Sequence, residues 1–193
     1  MKKTTFCFVL LLITFFSSMA QVQIGDGTFI DKGVPFEPSR TYSYSQSIYL
    51  SSEILATGTI SSLQWYYAGP YDLMGSQEIT IYIGHSTKTS FSSASNWEPL
   101  ANLTEVYSGG AAANGPGWIN FLLETPFVYN GTDNLVIAVR EGSSLSDYSE
   151  DDFYAYEVAD NRTLTLGSNT TAPNAASPAN GTLRKFLPII SLD

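Results

Sequence analysis

From Gln21 onward, large apolar side chains fall on every second position, and short clusters of glycine, asparagine and proline interrupt the runs. In TYSYSQSIYL, Tyr42, Tyr44, Ile48 and Leu50 share one face while Ser43, Ser45 and Ser47 share the other. In QEITIYIG, Ile79, Ile81 and Ile83 oppose Thr80 and Tyr82. Side chains alternate across a strand but return every ~3.6 residues on a helix, so these patterns demand half-buried strands, with the serine face of the first one wet. NLVIAVR, residues 134–140, is apolar on both faces, which predicts a central strand covered on each side. Further strands are expected at 59–67, 103–108, 118–123, 152–158, 162–166 and 185–192, and no window carries a helical period.

The breaks between them have a mechanism. Gly25-Asp26-Gly27, Ala68-Gly69-Pro70, Gly109-Gly110, Asn114-Gly115-Pro116-Gly117, Asn130-Gly131 and Asn180-Gly181 supply positive φ or a preset φ where the chain must reverse. About nine or ten strands separated in this way predict an all-β fold: two antiparallel sheets face to face, in a jelly-roll-like Greek-key sandwich. Residues 21–193 suffice for one domain of this kind. The stretch 167–182, poor in large apolar residues and rich in Pro, Asn, Ser and Ala, is expected to be a long surface loop.

Residues 1–20 carry a different signal. Lys2 and Lys3 precede an apolar core from Phe6 to Phe16, and Ser18-Met19-Ala20 is a small-x-small ending, the pattern of a secretory signal peptide. The apolar run falls well short of the ~20 residues that span a bilayer, so export without membrane insertion of the mature chain is expected, to the cell surface or the medium, with the periplasm as the alternative. Cys7 is the sole cysteine and lies inside this core, leaving no disulfide, thiol nucleophile or cysteine metal site for the remaining fold. Removing Lys2 and Lys3 takes the net charge from −9 to −11. Nucleic acid is excluded as a partner on this ground, because binding it draws on a basic surface that releases counterions from phosphate.

Chemistry-bearing residues are sparse. His85, the single histidine, follows Gly84 and precedes a Ser/Thr-rich run, but a catalytic triad needs one serine held against the imidazole and an acid behind it, and no G-x-S-x-G stretch occurs. His85 therefore reads as a structural loop residue. Glu150, Asp151 and Asp152 begin the E-x-D-x-x-E string of one kind of jelly-roll glycosidase, yet Ala155 stands where the second glutamate belongs; a glycan-active hydrolase is the third reading, and no catalytic residue is assigned. Asp147, Glu150, Asp151 and Asp152 together offer hard oxygen ligands, and calcium is the candidate cofactor there. Among the aromatics, Trp65 and Tyr67 share a strand face with Leu63 and read as core, whereas Tyr66 points the other way. Tyr66, with Tyr71 and Asp72 in the following loop and with Trp97, forms the candidate ligand-binding set; Trp97, followed by Glu98-Pro99, also reads as an anchor of its loop against the sandwich edge.

Three phrases carry a resemblance: IYIGHSTKTSFSSASNWEPLANLTEVYSG (81–109), GWINFLLETPFVYNGTDNLVIAV (117–139) and NRTLTLGSNTTAPNAASPANGT (161–182). They resemble the secreted β-sandwich modules of the cleaved-adhesin kind, found in surface proteins of bacteria that use type IX secretion, over roughly residues 40–192. The resemblance implies a non-catalytic binding or adhesion module that takes a polysaccharide or an extracellular protein as partner. The alternative is a structural accessory domain of the cell envelope without a dedicated ligand. Asn102, Asn130, Asn161, Asn169 and Asn180 sit in N-x-[ST] triplets; in a bacterial setting they read as turn and strand-end asparagines.

Overall fold

A computed structural model describes residues 20–30, 33–143 and 145–193; the expected signal peptide, Cys7 included, lies outside the described residues except for Ala20. Among the described residues the strands begin with β1 (Val22–Ile24), β2 (Phe29–Ile30), β3 (Tyr42–Tyr49), β4 (Gly58–Tyr67), β5 (Asp72–Leu73), β6 (Ile79–Ser86), β7 (Thr104–Gly109) and β8 (Ala113–Asn114). They continue with β9 (Gly117–Tyr129), β10 (Asn134–Glu141), β11 (Tyr154–Glu157), β12 (Thr163–Ser168), β13 (Thr182–Arg184), β14 (Phe186–Pro188) and β15 (Ile190–Leu192). Each of the nine strands expected from the alternation is present, and among the described residues helix is confined to single turns at Ser51–Ile54 and Leu100–Asn102. Among the described residues, no helix is long and apolar enough to cross a membrane.

Two main sheets run in the orders β1-β15-β4-β9 and β13-β12-β3-β10-β6-β7, with antiparallel pairing throughout. Taking β1, β3, β4, β6, β7, β9, β10 and β15 as first to eighth, one sheet reads first-eighth-third-sixth and the other second-seventh-fourth-fifth. That interleaving is a jelly roll, two Greek keys wound together. The strands β12 and β13 are added at the β3 edge, and the small sheets β14-β11-β2 and β5-β8 extend one end.

The alternate apolar positions meet between the main sheets. Leu63, Trp65, Ile119 and Phe121 from one face Ile81, Ile83, Leu135 and Ile137 from the other in a single buried cluster. The Trp65 ring meets Phe121 edge-on at 5.2 Å, and Tyr107 of β7 meets the same Phe121 at 5.2 Å. Burying each such side chain contributes about 1.5–3 kcal/mol, enough for a fold without cross-links.

Strand β10 shows why its sequence is apolar on both faces. Leu135, Ile137 and Val139 enter the inter-sheet core, whereas Val136 and Ala138 join Tyr44, Ile48 and Leu164 under a cover of Phe91, Trp97 and Ala175. The stretch 167–182 is thus more than a surface loop, since Pro173 is buried and Ala175 belongs to that cover.

The serine face of β3 departs from the expected wet surface: Ser43, Ser45 and Ser47 are all buried. The cause is the segment around Val34–Phe36, which closes over that face. Ser45 donates to the Pro35 carbonyl, Ser43 to the Glu141 carboxylate at 2.9 Å, and Ser47 pairs with Thr163 at 3.2 Å. A hydroxyl can enter a core when it is hydrogen-bonded there, and period two alone does not distinguish that from exposure. The run expected as one strand over 185–192 also divides. β14 serves the small sheet beside β11, β15 serves the main sheet beside β4, and the Ile189 N–H at the junction donates to the Tyr154 carbonyl at 3.0 Å.

Candidate functional site

The outer face of β4 and β9 is open. On β9, Ile119, Phe121 and Leu123 turn inward, so Trp118, Asn120 and Leu122 stand exposed on the opposite face. On β4, Trp65 and Tyr67 turn inward and Gln64 and Tyr66 outward, and the register sets Tyr66 beside Trp118 and Gln64 beside Asn120. A bridge between Tyr67 and Phe153 then brings Tyr154 alongside Tyr66 from the other flank. Three rings therefore form a transverse row. Tyr66 stacks on Tyr154 at 5.0 Å and 16°, and Trp118 meets Tyr66 at 5.4 Å and 80°. Trp118 is 39% exposed.

One step along the strands, about 7 Å away, runs a polar row. The Gln64 amide donates to Asn120 Oδ1 at 3.3 Å, and Ser191, paired with Gln64 in the sheet, accepts from the Gln21 amide at 3.1 Å. The arrangement offers apolar ring surface beside amides that both donate and accept. Chemically, it suits a ligand with apolar C–H faces and a rim of hydroxyls.

At the same end of the sandwich, past the end of β4, Tyr71 and Tyr148 meet at 4.6 Å with an interplanar angle of 44°. Together with Pro70, Asp72, Met74 and Asp147 they line a cleft of about 470 Å³. Of the expected ligand-binding set, Tyr66 thus belongs to the outer face and Tyr71 and Asp72 to this cleft. Trp97 departs from the set: it is 7% exposed, packs on Tyr44 at 5.1 Å, and donates its indole N–H to the Ala179 carbonyl at 3.0 Å. It closes the second apolar cluster and presents no platform.

Of the expected calcium ligands, Asp147 and Asp151 are held by hydrogen bonds within the fold. Asp147 Oδ1 accepts the N–H groups of Met74 and Gly75 at 3.0 and 2.7 Å. Asp151, fully buried, accepts the Tyr67 hydroxyl and the Tyr148 N–H. Burial first, then the Asp151 carboxylate, pushes the Tyr67 phenol far above its ordinary value, so it stays a donor. Asp152 is buried beside it, and Glu150 accepts the Ser149 hydroxyl at the surface. Among the described residues, no group of three or more His, Cys, Asp or Glu side chains is placed to hold a metal ion.

His85 lies on β6 between Phe127 and Tyr129, with ring centroids 4.9 and 5.8 Å away. Its Nε2 accepts the Asn130 N–H at 3.1 Å, which ties that lone pair to the turn after β9. Neighbouring Ser86 donates instead to Glu98, at 2.9 Å. Burial favours a protonated Glu98, but hydrogen bonds from Asn102 and Ser86 and the Lys88 ammonium at 3.4 Å outweigh it and hold the carboxyl below the ordinary range. Around them lies a polar cleft of about 290 Å³, in which Glu98 accepts from Ser86 and Asn102 and pairs with Lys88.

Trp118 and Tyr154 were outside the set expected from sequence. In WINFLL both alternating sets contain large side chains, so the period is silent about which faces out. Tyr154 reaches the row through a strand contact 86 residues away in sequence, between Tyr67 and Phe153. No protein-family model, curated protein or solved structure matches the chain.

Proposed function

We propose that this chain is a secreted or cell-surface binding module, acting without catalysis, whose outer sheet face takes a polysaccharide. The observation that carries this reading is the Tyr154–Tyr66–Trp118 row beside the Gln64–Asn120 amide pair. A sugar ring has an apolar C–H face and equatorial hydroxyls; the rings offer the first a surface and the amides offer the second directional partners. Rings held by their neighbours lose little freedom on binding, which favours affinity from a shallow surface. A sheet face also fits an extended chain better than a small molecule, because the row has no enclosing walls.

The test is affinity electrophoresis of the chain from Gln21 onward against soluble β-glucans, xylans and bacterial exopolysaccharides, in the wild type and in Trp118→Ala and Gln64→Ala. Retardation by at least one polysaccharide is expected, strongly reduced in Trp118→Ala and weakened in Gln64→Ala. Retardation equal in all three proteins would move the ligand elsewhere. No retardation by any of them would favour the accessory envelope domain, whose exposed Leu122 and Val128 would then face another protein.

A further inference from the structure

We propose that the cleft lined by Tyr71 and Tyr148 is a second binding site, independent of the outer-face reading, that captures an arginine side chain from a basic partner protein. Its lining among the described residues is Pro70, Tyr71, Asp72, Met74, Asp147 and Tyr148, with two carboxylates and no basic group. Tyr71, Met74 and Tyr148 are 47%, 66% and 62% exposed, and apolar surface gathered in one concave place on a single chain marks a contact site.

The cleft is held open by the fold. The Tyr71 carbonyl accepts the Tyr67 hydroxyl at 2.9 Å, and the Tyr148 N–H donates to Asp151 at 3.0 Å. Across from them, Met74 and Gly75 N–H groups grip Asp147, whose own N–H donates to the Pro38 carbonyl at 2.8 Å. Both ring-bearing segments are thereby pinned before any ligand arrives, so little ordering remains to be done on binding.

Charge selects the occupant. Asp147 is saturated with backbone donors, whereas no described side chain bonds the exposed Asp72 carboxylate, and the chain as a whole carries −9. Two tilted rings attract a cation over their faces, and a free carboxylate at the rim accepts its N–H groups. A guanidinium meets both demands at once: it is planar, weakly hydrated, stacks on aromatic faces and presents paired donors to a carboxylate. A lysine ammonium is a compact, strongly hydrated point charge and gains less from the rings.

The experiment is isothermal titration calorimetry of the chain from Gln21 onward with a capped Gly-Arg-Gly-Arg-Gly peptide at low ionic strength. Its citrulline and lysine analogues are titrated in parallel. Binding of the arginine peptide is expected, with the lysine analogue weaker and the citrulline analogue, which keeps the shape but loses the charge, at least about tenfold weaker. Tyr148→Ala and Asp72→Asn, both surface changes, should each weaken the arginine peptide several-fold; Glu124→Gln, outside the cleft, should leave it unchanged. Trp118→Ala should also leave it unchanged, which separates this site from the polysaccharide platform. Equal binding of the three peptides, a Glu124→Gln effect as large as that of Asp72→Asn, or no binding of the arginine peptide would each overturn the proposal.

Discussion

Glu141 sits at the end of β10 with no exposed surface, its oxygens accepting the Ser76 hydroxyl at 2.6 Å and the Ser43 hydroxyl at 2.9 Å. Burial lifts its carboxyl from 4.5 to about 8; the two serine bonds oppose the rise, and the Asp147 and Glu37 carboxylates add to it. At pH 7 the folded chain therefore keeps a proton on Glu141 that the unfolded chain has released. The stability tied to that proton is fully present below the unfolded value and is lost as pH climbs toward the folded one. At about 1.4 kcal/mol per pH unit, the loss is on the order of 3 kcal/mol by pH 7. Glu141→Gln removes the titration while its amide can still donate to one serine and accept from the other. Urea denaturation of both proteins at pH 5 and pH 7 isolates the effect, because carboxylates with the opposite trend, such as Glu98, cancel in the difference. The variant is expected to gain on the wild type by on the order of 2–3 kcal/mol between these two values. Parallel stability curves would refute a buried, protonated Glu141.

Two other outcomes follow from where side chains lie. Trp97→Ala empties the second apolar cluster and orphans the Ala179 carbonyl, so it should cost about 3–5 kcal/mol in urea denaturation, whereas Trp118→Ala on the open face should cost under ~1 kcal/mol. Arg162 is 4% exposed, donates to the Ile48 carbonyl and pairs bidentately with Glu53, so Arg162→Ala should destabilise by about 3–5 kcal/mol on the same assay.

The sandwich was legible because alternation is a local property: Ile79, Ile81 and Ile83 on one strand announce an inward face without reference to any other strand. Tyr66 could be set outward by the same logic, being the odd position between Trp65 and Tyr67. The jelly-roll order itself rests on pairings between strands far apart in sequence, β1 with β15 and β3 with β10, which alternation does not specify. What escaped depends on partners distant in sequence. Trp97 reads from its own segment both as a ring for a ligand and as a loop anchor, and its packing on Tyr44 and its bond to Ala179 show the anchor. The β3 serines are polar by type but buried by the Val34–Phe36 segment. Asp147 and Asp151 look like free oxygen donors until the backbone N–H groups and the phenol that hold them are known. The aromatic row itself is assembled from β4, β9 and the start of β11, and no single strand contains it.

The central claim, that the outer sheet face is the ligand platform, has a built-in reporter. The chain has three tryptophans, of which Trp65 and Trp97 are buried, leaving Trp118 as the solvent-facing indole. Acrylamide quenching of tryptophan emission, measured with and without a saturating polysaccharide that retards the protein in the gel, reads that face directly. The account predicts that the accessible emission component disappears when the polysaccharide binds and is missing from the outset in Trp118→Phe. Binding that leaves this quenchable component unchanged would contradict it.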